Sequence, residues 1–137
     1  MSSLAFLSPG AHAGAEIGKV ELRGDLAAFD AERIVRLTPR RAVVLCDDAP
    51  ALVARARAAG LHAYDLTGAL TEIPIQDDAL LRRLTDIEIT APTAAPVARG
   101  VPALVFPAGA ERYELYVPQE LARYVAEVVR DLQTGLA

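Results

Sequence analysis

Polar and apolar residues alternate along several short segments of the chain, which is typical of strands with one buried face. Residues 19–23 follow this pattern, and residues 34–37 predict a second strand. Residues 41–46 are almost continuously apolar and predict a central strand. Further strands are predicted over residues 62–66, 69–75, 101–106 and 113–117. The last two flank a Pro-Ala-Gly-Ala segment, whose length suits a hairpin with a longer loop.

Three helices are predicted from their start signals and from apolar positions at helical spacing. Asp47-Asp48 followed by Pro50 begins the first helix, and Gly60 ends it. Asp77-Asp78 begins the second. The third spans residues 118–134 with Gly135 as its natural end. Residues 26–32 fit either a short helix or a loop, and residues 90–100, rich in Pro and Gly, predict an extended connection.

This order of elements predicts an α+β fold, with a mixed or antiparallel sheet and helices packed on one face. A length of 137 residues suits one domain. We assign residues 19–137 to that domain. Residues 1–18, in which small residues follow Ser8-Pro9-Gly10, are assigned to a flexible N-terminal arm.

Charge and composition exclude several classes of protein. The net charge of −4 argues against a nucleic-acid-binding protein, which would carry a basic excess. No segment approaches the roughly 18 apolar residues of a membrane span, and the N-terminus lacks the basic start of a signal peptide. The single cysteine, Cys46, forms no intrachain disulfide. These features favour a cytoplasmic protein.

A characteristic order of motifs occupies residues 60–136: Asp65-Leu66-Thr67, the turn Leu84-Thr85-Asp86-Ile87, the strand from Arg112 to Val117, and the helix that follows. Through these motifs the segment resembles the gamma subunit of heterotetrameric sarcosine oxidase and, more distantly, the N-terminal half of the glycine-cleavage T-protein. Residues 19–59 match through Val20-Glu-Leu-Arg-Gly24 and the apolar strand 42–45. The resemblance implies half of a T-protein-like folate-binding domain.

The chain departs from catalytic T-proteins at the position of their catalytic Asp. Val125 lies about where that Asp would be, and Pro118-Gln119-Glu120 replaces an Asn-Ala-Ser-like segment. The resemblance therefore implies a non-catalytic accessory subunit in bacterial one-carbon metabolism. It would dock on a larger amine-oxidising subunit that carries flavin and binds tetrahydrofolate. The chain alone is assigned no cofactor.

Other candidate chemistry has a structural explanation that we prefer. The paired acids Asp47-Asp48 and Asp77-Asp78 are better explained as helix caps than as acid–base pairs. Cys46 is better explained as a small buried residue, because adjacent acids raise a thiol pKa. His12 and His62 have no second ligand at metal-binding spacing, so no metal site is predicted.

Arg112, Tyr113, Tyr116 and Tyr124 are the candidate partner-interface residues. Tyr113 and Tyr116 lie on opposite faces of one strand, because side chains alternate, so we expect one in the core and the other exposed. An exposed Tyr beside Arg112 suits an interface anchor, since both residue types are enriched in hot spots. An ordinary sheet-surface Tyr is the alternative.

Two other hypotheses remain open. The chain could be an independent binder of a folate-like molecule, as a homo-oligomer with its ligand between sheet and helices. It could also be a one-carbon transferase in its own right, although the missing acid at position 125 disfavours this.

Overall fold

The computed structural model describes residues 16–136, so most of the predicted N-terminal arm lies outside the described residues. These residues divide into two compact units, 16–69 and 70–136, within the segment assigned to one domain. Each unit contains one four-stranded antiparallel sheet. The predicted α+β class is confirmed, with two antiparallel sheets in place of one.

Unit 16–69 contains four strands and one helix. The strands are β1 (Gly18–Arg23), β2 (Ile34–Thr38), β3 (Arg41–Cys46) and β4 (His62–Asp65), in the order β2-β3-β1-β4. Helix α1 (Ala49–Ala58) packs its apolar residues on one sheet face, where Val20, Leu22, Ala42 and Val44 are buried. The segment 26–32 forms a loop, whose side chains Leu26 and Phe29 complete this core.

Unit 70–136 has the same layered plan. Its strands are β5 (Leu70–Ile75), β6 (Thr93–Val97), β7 (Val101–Pro107) and β8 (Tyr113–Pro118), in the order β5-β8-β7-β6. Helix α2 (Asp78–Leu84) and helix α3 (Ala122–Leu136) cover one face, and a 3₁₀ turn at Gln119–Leu121 precedes α3. The core between them includes Ile73, Ile75, Leu80, Leu84, Val105, Leu115, Val117, Val125 and Val129.

Both predicted helix caps are confirmed by hydrogen bonds. The Asp48 carboxylate accepts from the Ala51 N–H at 3.0 Å, and the Asp77 carboxylate accepts from the Leu80 N–H at 2.7 Å. Each cap of this kind contributes about 1 kcal/mol, because it satisfies a backbone donor that the helix leaves unpaired. Gly60 adopts a φ of +88° just after α1, as predicted for its end.

Two predicted boundaries were wrong. The segment 90–100, predicted to be an extended connection, contains strand β6. Its prolines favoured the prediction of a connection over that of a strand. Proline is tolerated there because β6 is an edge strand, and an edge strand needs fewer N–H donors. Helix α3 continues through Gly135 to Leu136, so this glycine does not end it.

The turn between β6 and β7 places two residues with side chains in the left-handed region. Ala98 and Arg99 have φ of 49° and 69°, and the Gly100 N–H donates to Val97 O at 3.1 Å. Turns with positive φ at both central residues normally use Asn and Gly. Tertiary hydrogen bonds stabilise the turn at Ala98 and Arg99. The Ala98 N–H donates to Leu84 O, and the Tyr124 hydroxyl donates to Ala98 O.

Replacing Arg99 by Gly is expected to raise the free energy of unfolding by about 0.5–1 kcal/mol, because glycine adopts positive φ without steric cost. Urea denaturation followed by circular dichroism measures this change. The control Arg99→Gln removes the same charge but keeps Cβ, and it should leave stability unchanged. Equal gains in both variants would contradict the conformational explanation.

Candidate partner-docking surface

A cleft of about 540 Å³ opens in unit 70–136 beside Tyr113, and we call it the Tyr113 cleft. Helix α2, the segment that follows it, and the first residue of β8 supply its walls. Its lining residues are Asp78, Leu81, Arg82, Thr85, Asp86, Ile87, Glu88, Ile89 and Tyr113. It includes Tyr113, which is one of the four candidate interface residues.

Tyr113 is fixed in the cleft by a chain of polar contacts. Its hydroxyl donates to Asp78 Oδ1 at 3.0 Å, and Arg82 Nε donates to Asp78 Oδ2 at 2.8 Å. Burial raises the pKa of the Tyr113 hydroxyl, and the hydrogen bond to the Asp78 carboxylate raises it further. The ring is half-buried against the core beneath α2 and α3. Tyr113 thus presents one edge of a positioned aromatic side chain to the cleft.

The segment after α2 supplies an exposed apolar residue. The Ile87 side chain is 44% exposed, whereas Ile89, two residues on, is buried. The Thr85 hydroxyl accepts from the Ile87 N–H at 3.2 Å, which holds this segment against the end of the helix. An exposed isoleucine beside a half-buried tyrosine is an apolar surface of the kind found at the centre of protein interfaces.

The cleft carries an excess of negative charge. Asp78, Asp86 and Glu88 line it against a single cation, Arg82, which is already paired with Asp78. Asp86 and Glu88 are exposed, and no ion pair involves either of them within residues 16–136. A surface with an apolar centre and an acidic rim complements a partner surface that presents basic side chains.

The other candidate interface residues lie in different environments. Arg112 is exposed next to Tyr113. Tyr124, 43% exposed on α3, donates its hydroxyl to Ala98 O. Tyr116 is fully buried, makes an edge-to-face contact with Phe106, and donates to Glu114. We expected one of Tyr113 and Tyr116 in the core, and the buried residue is Tyr116. Tyr116 therefore offers no accessible surface to a partner.

Position 125 is a packing position. Val125 is fully buried in the core of α2, α3 and the sheet. A carboxylate there would be removed from water without a charged partner, which is strongly unfavourable. Val125 therefore contributes to the core of this unit.

A second cleft, of about 690 Å³, lies in unit 16–69 between the loop at residues 30–33, the end of β3 and helix α1. Arg55 borders it, donating to Asp30 O at 3.3 Å and stacking its guanidinium 4.9 Å from the Phe29 ring centre. Cys46 also lines it. Burial raises the pKa of the Cys46 thiol, and the carboxylates of Asp65, Asp47 and Asp48 raise it further, as expected from the sequence.

Within residues 16–136, no group of three or more His, Cys, Asp or Glu side chains is arranged to hold a metal ion. His62 is exposed on β4, and His12 lies outside the described part of the chain. None of the helices described is both long and apolar enough to cross a membrane.

Comparison with known proteins gives a match in structure but none in sequence. No protein-family model matches the chain, and no curated protein matches it. Among solved structures, a chain of the heterotetrameric sarcosine oxidase from Corynebacterium sp. U-96, in complex with pyrrole 2-carboxylate, superposes with a TM-score of 0.74 at 12% identity. The alignment covers 98% of this chain and 95% of that chain.

This chain therefore has the fold of a heterotetrameric sarcosine oxidase subunit. The coverage extends over both units, including residues 19–59, where the sequence resemblance was thinner. The match is nearly complete in both directions, so the subunit that it identifies is about as short as this chain. At 12% identity the match establishes the fold and not the activity.

Replacing Tyr113 by Phe tests the contacts that fix the cleft. The pKa of Tyr113 is raised from 10.0, so its hydroxyl stabilises the fold below pH 10 and this contribution is lost as pH rises through the folded pKa. We expect Tyr113→Phe to lower the free energy of unfolding by about 1 kcal/mol at pH 8 and by less above pH 10. Urea denaturation at both pH values measures the two differences, and equal differences would contradict the assignment.

Proposed function

We propose that this chain is a non-catalytic accessory subunit that resembles sarcosine oxidase gamma. It docks on a larger flavin- and folate-dependent amine-oxidising subunit. The observation that supports this most strongly is the fold match with a chain of a heterotetrameric oxidase, because it covers nearly all of both chains. Coverage of 98% of this chain and 95% of that chain supports a role similar to that of the matched subunit.

The environment of Val125 supports a non-catalytic role. In the resemblance to T-proteins, the catalytic Asp corresponds to this position. Here the position is fully buried among apolar side chains of α2, α3 and the sheet. The chain therefore uses this part of the fold for packing, which fits a subunit that braces a partner's folate-binding part and not a one-carbon transferase.

We place the docking surface at the Tyr113 cleft, together with Arg112. Ile87 and Tyr113 supply apolar contact, and the acidic rim of Asp86 and Glu88 selects a partner surface with basic residues. Burial of Ile87 on docking would contribute hydrophobic stabilisation that the isolated chain lacks. Tyr124 is a further candidate contact on the same unit.

The test is co-expression with the large flavin-containing subunit of a sarcosine oxidase-like enzyme encoded in the same genome. We expect one heteromeric peak with flavin absorbance in size exclusion coupled to light scattering. Ile87→Glu should weaken the complex at least tenfold, because it places a charge in the apolar centre of the interface. Ala54→Glu, which adds the same charge at an exposed position of α1, is the matched control.

The possible outcomes test the accessory role and the position of the docking surface separately. A wild-type chain that stays alone with every such large subunit would contradict the accessory role. A complex that forms with wild type and with Ile87→Glu equally would retain the accessory role and reject the Tyr113 cleft as its docking surface.

The cleft of about 690 Å³ favours a second candidate, an independent binder of a folate-like molecule. Its volume lies within the range of small-molecule sites, and Arg33 and Arg55 border it together with the apolar residues Ile17 and Leu52. A colourless homodimer in the experiment above, with saturable heat on titration with tetrahydrofolate, would favour this function. Absence of heat would remove it.

A further inference from the structure

Basic side chains form a row across the sheet of unit 16–69. Arg23 of β1 lies directly opposite Arg41 of β3 on one side and His62 of β4 on the other. Directly opposed residues of antiparallel strands project on the same face, and like charges in such pairs are destabilising. The Arg23 and Arg41 side chains are 54% and 48% exposed. An adjacent pair of arginines in this position requires a compensating interaction.

Glu21 provides that interaction. It lies two residues before Arg23 on β1, so its side chain projects on the same face. Its Oε2 atom accepts from Nε of Arg23 at 2.5 Å and from Nε of Arg41 at 2.9 Å. Burial raises the pKa of Glu21, but the hydrogen bonds from Arg41 and Arg23 outweigh it and leave the pKa below its usual value. The ionised, buried carboxylate thus holds the two guanidinium groups side by side.

The cluster of Glu21, Arg23 and Arg41 has a net positive charge and, in the described part of the chain, hydrogen-bond donors without an acceptor. Two arginines against one carboxylate leave a net charge of +1. Within residues 16–136, each hydrogen bond that Arg23 or Arg41 makes through its side chain uses Nε, so the Nη donors of both remain for another acceptor. The Arg23 guanidinium carbon also lies 5.5 Å from the centre of the exposed Tyr64 ring, which restricts its orientation further.

We propose that Arg23 and Arg41 form a carboxylate-binding site, organised by Glu21 and bordered by Tyr64. Guanidinium groups bind carboxylates through paired N–H donors, and a single carboxylate neutralises the net charge of the set. The carboxylate comes either from a free small molecule or from an Asp or Glu side chain of a partner. This site lies in unit 16–69, whereas the Tyr113 cleft lies in unit 70–136, and the free-carboxylate case does not depend on the proposed accessory role.

The first test is a nuclear magnetic resonance titration of the ¹⁵N-labelled full chain with propionate, against chloride at equal ionic strength. We expect saturable shifts of the Arg23 and Arg41 Nε–Hε signals with propionate only. Arg23→Gln and Arg41→Gln should each weaken binding at least tenfold. Arg123→Gln, which removes an exposed arginine from α3, is the matched control and should bind as wild type does.

Arg41→Lys separates a built site from general charge attraction. It keeps the positive charge but lacks the planar fork, so we expect it to bind propionate several-fold more weakly than wild type. Undiminished binding by Arg41→Lys would overturn the proposal. Circular dichroism melting of each variant confirms folding, and Arg41→Gln alone suffices if Arg23→Gln does not fold.

The second test separates the two sources of the carboxylate. If propionate produces no shift but Arg41→Gln weakens the complex with the large subunit, the site binds an acidic side chain of that partner. If propionate does bind, the site accepts free carboxylates. If propionate produces no shift and Arg41→Gln forms the complex as the wild-type chain does, the carboxylate-binding site is overturned. The accessory role is unaffected by that result.

Discussion

Burial of one face of each four-stranded sheet beneath helices is the interaction on which the rest of the structure depends. In unit 70–136, Leu115 and Val117 of the interior strand β8 are fully buried between β5, β7 and the helices. Fully burying a side chain of this size contributes roughly 1.5–3 kcal/mol. Val125 and Val129 of α3 complete the layer. Position 125 must therefore be apolar for this core to exist.

The two proposed surfaces lie where this layered packing ends. Tyr113 begins strand β8, and its ring contacts the core while its hydroxyl reaches Asp78 at the start of α2. Arg23 and Arg41 lie at the end of β1 and the start of β3, beyond the buried residues of those strands. In both places the core positions a polar group that is accessible to a second molecule, which is consistent with the docking and carboxylate-binding roles that we propose.

The sequence predicted features that depend on neighbouring residues. Asp48 and Asp77 were recognised as caps because a helix start is encoded within about four residues. Strand β6 was missed because Pro92 and Pro96 suggest a connection unless the edge position of the strand is known. The Tyr113–Asp78 and Arg41–Glu21 contacts join residues 35 and 20 positions apart, so no local pattern could indicate them. The family resemblance anticipated the fold because the order of elements persists when only 12% of residues are identical.

We propose that the chain functions as a subunit docked through the Tyr113 cleft. Hydrogen–deuterium exchange of the chain, alone and in complex with the large flavin-containing subunit, measures which segments the partner covers. We expect slowed exchange on complex formation to be concentrated in residues 85–89 and 111–113. Unchanged exchange in these segments, with protection confined to other parts of the chain, would contradict this proposal.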